Sequence, residues 1–149
     1  MSMPKAGERA PDFELRDQQG RTARLTELLK SGPVVIFFYP KDDTSGCTKE
    51  ACRFRDDYAR FRDTGAQIVG ISSDSEESHQ RFAAKYALPY TLLSDPGGQV
   101  RKLYGASAFF GLIPGRTTFV IGRDGFVRHV FSSQGKFEEH VDEALRGLT

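Results

Sequence analysis

The sequence is short of cysteine, of charge imbalance and of long apolar runs, and each shortage excludes a class of protein. Only two cysteines occur in 149 residues, Cys47 and Cys52, five positions apart. A structural disulfide closing so small a loop restricts the unfolded chain little. A chain of this length buries roughly 70% of its unfolded surface and needs no such staple. A disulfide-scaffolded secreted domain is therefore excluded, and a reducing compartment with two inert or chemically used thiols fits. The three histidines, His79, His129 and His140, are scattered without paired ligand spacing, so no metal site is expected, and no cofactor is implied. Lys+Arg is 21 against Asp+Glu 20, a formal net charge of +1, which argues against a nucleic-acid or polybasic membrane binder. No apolar run approaches the roughly 18 residues of a membrane span. The first eight residues lack both the apolar stretch of a signal peptide and the Arg/Ser-rich, acid-poor character of a transit peptide. Together these features predict a cytoplasmic protein.

What is present is a soluble, globular pattern, 38% hydrophobic and 28% charged, of a length that predicts one domain over residues 1–149. Strand-like and helix-like segments alternate throughout. Phe13–Arg16 and Arg21–Arg24 flank Asp17-Gln18-Gln19-Gly20 and read as an N-terminal hairpin. Thr26 and Glu27 read as the start of a short helix, stopped by Gly32-Pro33. The continuous apolar run Val34–Tyr39 predicts a central strand buried on both faces. A polar loop, Lys41 to Gly46, precedes a helix expected from Cys47 to about Arg62, with Ala51, Phe54, Tyr58 and Phe61 on one face. Further strands are expected at Gln67–Ile71, Thr91–Leu93, Arg116–Ile121 and Phe126–Phe131, and helices after Ser75, after Asp95 and from Phe137. Strand–helix–strand connections imply parallel neighbours, and the closing hairpin adds antiparallel ones. The expected fold is α/β: a mixed sheet of about five strands flanked by helices, with the N-terminal hairpin besides. In such sheets, sites lie beyond the carboxyl ends of the strands, which directs attention to the loop after Tyr39.

Cys47 follows that loop and opens the helix. The first amides of a helix lack intrahelical partners and its macrodipole is positive there, so both favour a thiolate. A free cysteine near its reference pKa of ~8.5 is only a few per cent thiolate at neutral pH; a helix N-terminus with a cation nearby lowers that value. Burial as an inert thiol is the commoner fate of free cysteine, and the polar loop and the second cysteine weigh against it. If residues 47–52 are helical, five steps give a rise of ~7.5 Å and a rotation of ~140°. The Cα atoms then stand ~8.6 Å apart, beyond the ~7 Å that a disulfide spans. The two thiols therefore bond only if the first turn unwinds.

The segment Tyr39-Pro40-Lys41-Asp42-Asp43-Thr44-Ser45-Gly46-Cys47-Thr48-Lys49-Glu50-Ala51-Cys52 resembles the active-site segment of peroxiredoxins, specifically the peroxiredoxin Q or bacterioferritin comigratory protein group. The likeness extends through Ala10-Pro11-Asp12-Phe13, Gly70-Ile71-Ser72 with Asp74, Leu93-Ser94-Asp95-Pro96 and Gly115-Arg116-Thr117-Thr118-Phe119-Val120-Ile121. Ser45 stands where the family usually has proline, and no reacting group is lost by it. The resemblance implies a thioredoxin-like fold and a thiol-dependent peroxidase. In it, Cys47 is the peroxidatic thiolate, Thr44 places a hydroxyl beside the sulfur, and Pro40 shields it from water. Arg116 folds back onto the thiolate, and Cys52 resolves the Cys47 sulfenic acid into an intramolecular disulfide. The implied partners are a hydroperoxide and a thioredoxin or similar dithiol reductant. The close cysteine pair needs no second subunit, so a monomer is expected. Tyr39, Phe109, Phe110, Leu112 and Ile113 read as core or loop anchors outside the catalytic set.

Other readings are weaker. Cys47 to Arg53 also fits the Cys-x5-Arg loop of cysteine-dependent phosphatases, but it has no glycine to wrap amides around a phosphate, and Glu50 stands where a dianion would sit. A thioredoxin-type oxidoreductase wants Cys-x-x-Cys, and here the spacing is Cys-x4-Cys. A non-enzymatic chaperone or binding domain would leave both thiols dispensable.

Overall fold

The computed structural model of the chain describes residues 3–108 and 113–148. The chain opens with β1 (Glu14–Asp17) and β2 (Thr22–Arg24), followed by α1 (Leu25–Leu28). Next come β3 (Val34–Phe38), α2 (Ser45–Asp56), α3 (Tyr58–Asp63) and β4 (Gln67–Ser72). Then α4 (Glu76–Lys85), β5 (Thr91–Ser94) and α5 (Gln99–Leu103) lead to β6 (Ser107–Ala108) and β7 (Ile113–Pro114). The chain closes with β8 (Thr117–Ile121), β9 (Val127–Ser132) and α6 (Phe137–Gly147).

The main sheet has seven strands in the order β2-β1-β5-β4-β3-β8-β9, not about five. The five expected strands are all in it. The difference is the N-terminal hairpin, which joins the sheet because β1 pairs antiparallel with β5, Arg16 opposite Ser94 and Asp17 opposite Leu93. Two-residue strands β6 and β7 form a separate small ladder. Further local departures concern the helices. Thr26 does not cap α1; it lies inside the helix, and its amide is taken by Asp12 at 3.2 Å. The helix after the active-site loop starts two residues before Cys47 and is broken at Asp57, whose carboxylate accepts from Arg53 at 2.9 Å. Ser75 does cap α4, accepting from the Ser78 amide at 3.1 Å.

Every residue of β3 is buried, because helices cover both faces of the sheet. Val34, Ile36 and Phe38 face a layer with Leu25, Val100, Tyr104 and Phe119. Val35, Phe37 and Tyr39 face the other, with Cys47, Ala51, Phe54, Phe82 and Val141. Cys47 thus belongs to the second layer, where α2 packs against α6. Strand register decides what reaches it. β3 runs parallel to β4 and antiparallel to β8, with Phe38 opposite both Ile71 and Thr117. The start of β8 therefore lies at the carboxyl end of β3, and Arg116, one residue before β8, is delivered to the level of Tyr39.

Candidate active site

The buried stripe of α2 is Cys47, Glu50, Ala51 and Phe54, at i, i+3, i+4 and i+7. Cys47 lies in the first helical turn, where amides point at the sulfur's environment and the dipole favours negative charge. Thr44 stands at the N-cap with extended backbone, and its carbonyl accepts from the Thr48 amide at 2.8 Å. Its exposed hydroxyl donates to the Lys41 carbonyl at 3.0 Å, which leaves its lone pairs to accept from a ligand. Pro40 is half-buried and follows the last ladder bond of this edge, from the Tyr39 amide to the Ile71 carbonyl at 3.1 Å. Gly46 is required by close approach: a Cβ there would stand 2.5 Å from the Phe137 ring and 3.3 Å from an Arg116 nitrogen.

Arg116 is buried and held from several sides. Its Nη2 donates to the Cys47 sulfur at 3.3 Å, its Nη1 to Glu50 Oε1 at 2.8 Å and its Nε to the Gln134 carbonyl at 3.3 Å. The guanidinium lies over the Phe137 ring, 4.7 Å from its centroid. A planar fork with donors on two edges makes these contacts simultaneously, which an ammonium could not. Burial pushes the Glu50 carboxyl up to about 8 despite the opposing pull of Arg116, so desolvation works against the charge on Glu50 in this contact. The sequence reading gives neither Glu50 nor His140 a role in the site. The signal available was position: Glu50 is three residues after Cys47, and His140 three after Phe137, each on a buried helical face.

Cys52 is a half-buried free thiol on the same helix. Burial raises its pKa, Arg55 opposes that and Asp56 adds to it, so it waits as a thiol. Arg53 is engaged with Asp57, Glu138 and Asp142 at 2.9–3.0 Å, away from the Cys47 sulfur, so the Cys-x5-Arg sequence does not form an anion loop. Phe109, Phe110 and Leu112 lie outside the described residues, as does the side chain of Ile113. Tyr39 is buried, and its hydroxyl donates to Asp42.

The loop between β3 and α2 is anchored by a second buried cluster. Asp42 accepts from Tyr39 at 2.5 Å and from Ser78 at 2.8 Å, and meets His79 Nδ1 at 2.7 Å. His79 Nε2 meets the Leu93 carbonyl at 2.9 Å, and Asp74 takes the Asp42 amide at 2.8 Å and the Ser72 hydroxyl at 2.6 Å. The ligand atoms of Asp42, Asp74 and His79 lie within 4.8 Å of one another. Their hydrogen bonds to one another and to neighbouring groups make the cluster a clamp on the loop rather than an open cation cradle. Beside it, Asp43 takes a positive φ of 58° and pairs with Lys85 at 2.8 Å and Tyr86 at 2.7 Å.

Fold and site together define a thioredoxin-like domain with a buried cysteine–arginine pair in the first turn of a helix. The AhpC/TSA family model matches residues 6–130. The chain is 52% identical to chloroplastic peroxiredoxin Q of Sedum lineare over 95% of this chain and 76% of that protein. It is 50% identical to the chloroplastic peroxiredoxin Q of Gentiana triflora, over 93% of this chain and 64% of that one. Among solved structures, peroxidoxin BcpB of Mycobacterium tuberculosis superposes with a TM-score of 0.91 at 46% identity, over 97% and 96% of the two chains. The bacterioferritin comigratory protein of Xanthomonas campestris, whose structure is described for its alkyl peroxide reduction, superposes at 0.85 and 29% identity over 97% of each chain. The chain belongs to the AhpC/TSA family, and its relatives are peroxiredoxins of the Q group.

The same relatives overturn the expected cytoplasmic location: the plant proteins, at 50–52% identity, are named as chloroplastic. The physical reason is that location is carried by a removable leader, while the folded domain has the same chemistry wherever it is delivered.

Proposed function

We propose that this protein is a thiol-dependent peroxidase working through Cys47 and Cys52. The observation that carries the reading is the Arg116 guanidinium 3.3 Å from the Cys47 sulfur, in the first turn of α2. The Cys47 thiolate attacks the terminal oxygen of a hydroperoxide, the O–O bond breaks, and Cys47 becomes a sulfenic acid. The leaving oxygen departs as an anion, which takes a proton to give water or an alcohol, and Arg116 stabilises its charge as it develops. Thr44 offers its hydroxyl oxygen to the bound peroxide, and Pro40 walls the sulfur from water. The Cys52 thiol then displaces water from the sulfenic acid and forms the Cys47–Cys52 disulfide. A thioredoxin-like dithiol attacks that disulfide and restores both thiols. The unit that does this is a monomer with one domain, residues 1–149, because attacking and resolving cysteines share one helix. Hydrogen peroxide and organic hydroperoxides are both substrates of this chemistry.

Anaerobic titration of the reduced protein with peroxide, with mass analysis of peptides holding Cys47 and Cys52, tests the proposal. One equivalent is expected to convert both thiols to one intramolecular disulfide. Cys47→Ser is expected to abolish peroxide reduction, and more than trace turnover in that variant refutes the assignment.

A further inference from the structure

The two cysteines differ in what holds the chain on their outer sides. Three successive residues follow Cys52, and each is tied to a different part of the fold. The Arg53 guanidinium donates from all three nitrogens: Nε to Asp57, just past α2, at 2.9 Å, Nη1 to Glu138 at 2.9 Å and Nη2 to Asp142 at 3.0 Å, the last two on α6. Phe54 is fully buried and stacks on Phe37 of β3, ring centroids 4.5 Å apart, with Phe61 of α3 at 5.6 Å. Arg55 donates to the Tyr86 carbonyl, just past α4, at 2.7 Å. On the other side, Thr44 and Ser45 are exposed, and the Thr44 hydroxyl reaches only the Lys41 carbonyl of its own loop. Cys47 itself is held by Arg116, an attraction that weakens once a thiolate becomes a sulfenic acid.

A Cys47–Cys52 disulfide needs the Cα separation to fall from ~8.6 Å to below ~7 Å, so at least one cysteine must move. Moving Cys52 drags residues 53–55 away from α6, β3 and α4 together. Moving Cys47 draws on the turns that have to open in any case. We infer that Cys52 is the stationary member of the pair, and that Arg53 is the positioning residue that keeps it so by tethering the backbone immediately after it to α6. The inference rests on the proposed peroxidase reading for the step it serves, and on the contacts of residues 53–55 for what stays in place. A single exposed ion pair holds little. Arg53 differs because one rigid planar fork meets three carboxylates, which fixes its direction as well as its charge.

The consequence lies in the resolving step. The Cys47 sulfenic acid leaves its buried place and travels to the half-buried Cys52 thiol. The Cys52 sulfur attacks the Cys47 sulfur, the S–O bond breaks, and the hydroxyl leaves with the thiol proton as water. A fixed target keeps the effective concentration of the resolving thiol high at the one place the opened segment reaches. A loosened target leaves the sulfenic acid exposed to a second hydroperoxide, which oxidises it to sulfinic acid and is itself reduced to water or an alcohol. The neighbouring charges that act on the Cys52 thiol are Arg55 and Asp56, so exchanging Arg53 alters the position of Cys52 and not its ionisation.

The test pairs NMR of the reduced and disulfide forms with rapid-quench mass analysis. The Asp57 amide donates to the Arg53 carbonyl at 3.0 Å. Its exchange protection and the Arg53 Nε–H signal are expected to be the same in both forms, while the Thr48 amide loses its protection. Loss at Asp57 to the extent seen at Thr48 overturns the inference. In rapid quench, Arg53→Ala is expected to leave the first peroxide attack within about twofold but to slow disulfide formation roughly tenfold, with sulfinic acid on Cys47 appearing at a roughly tenfold lower peroxide excess. Arg53→Lys, which reaches one carboxylate at a time, is expected to recover part. Disulfide formation in Arg53→Ala at the unmodified rate or faster overturns the inference, and so does equal slowing of both steps. Should Arg53→Ala not fold, the exposed pair Glu138→Gln and Asp142→Asn releases the same tether and is held to the same outcomes. Should the peroxidase reading itself fail, peroxide yields neither sulfenic acid nor disulfide. The disulfide is then made with diamide, and the NMR comparison still decides which cysteine moves.

Discussion

Oxidation is expected to unwind the first turns of α2, and the size of the effect follows from the helix. Cys47 and Cys52 are both helical in the reduced protein, so their Cα atoms stand ~8.6 Å apart against the ~7 Å limit of a disulfide. Closing that gap breaks the bond from the Thr48 amide to the Thr44 carbonyl, 2.8 Å, and those of the following turn. It also releases the Arg116–Cys47 contact and the Tyr90 hydroxyl on the Ala51 carbonyl. About four backbone hydrogen bonds at about 1 kcal/mol each amount to about 4 kcal/mol, which keeps the unwound turn roughly a thousandfold less populated in the reduced state. Sulfenic acid formation lowers that cost, because it removes the charge that the helix N-terminus and Arg116 favoured. Amide exchange on the two forms reads this directly: protection of residues 48–52 is expected to fall by about a thousandfold in the disulfide form. Residues of α4 that clamp Asp42 and Asp43 should be unaffected, since the loop is pinned there independently. Equal protection of residues 48–52 in both forms would refute the unwinding and leave the Cys-x4-Cys spacing without a mechanism.

Arg116→Ala is expected to slow the first peroxide attack by roughly a hundredfold, the scale for losing one preorganised donor, and Arg116→Lys to recover only part, because an ammonium cannot serve Cys47 and Glu50 at once; stopped-flow single-turnover rates measure both. Cys52→Ser is expected to leave the first turnover intact but stop cycling with a dithiol reductant, with sulfenic acid accumulating on Cys47 in intact-mass spectra. Stability should depend on pH through Glu50: its native value of about 8 lies above its ordinary 4.5, so the folded state binds the extra proton. The contribution is fully present below pH 4.5 and is lost as pH rises through about 8, on the order of 3 to 5 kcal/mol at most. Glu50→Gln should flatten that part of a urea-midpoint profile measured from pH 5 to 9, and an unchanged slope would contradict the buried acid.

The element order and the placement of Cys47 at a helix start were legible in the sequence because they are short-range. A continuous apolar run such as Val34–Tyr39 specifies a doubly covered strand whatever surrounds it, and a polar loop followed by apolar residues at helical spacing places Cys47 in the first turn of a helix. The helix that carries both Cys47 and Cys52 was legible for the same reason. The seven-stranded sheet was not legible, because the pairing of β1 with β5 joins segments far apart in sequence. The role of Arg116 was open to analogy but not to pattern, since what brings it to Cys47 is the antiparallel register of β8 on β3 and the ring of Phe137 beneath it. Glu50 and His140 show the same limit more sharply. Each looks like an ordinary helical surface residue until α2 and α6 pack together and bury both. Sequence assigns residue types and local geometry, but the protonation state of a buried pair depends on which groups share its desolvated space, and only the tertiary structure decides that.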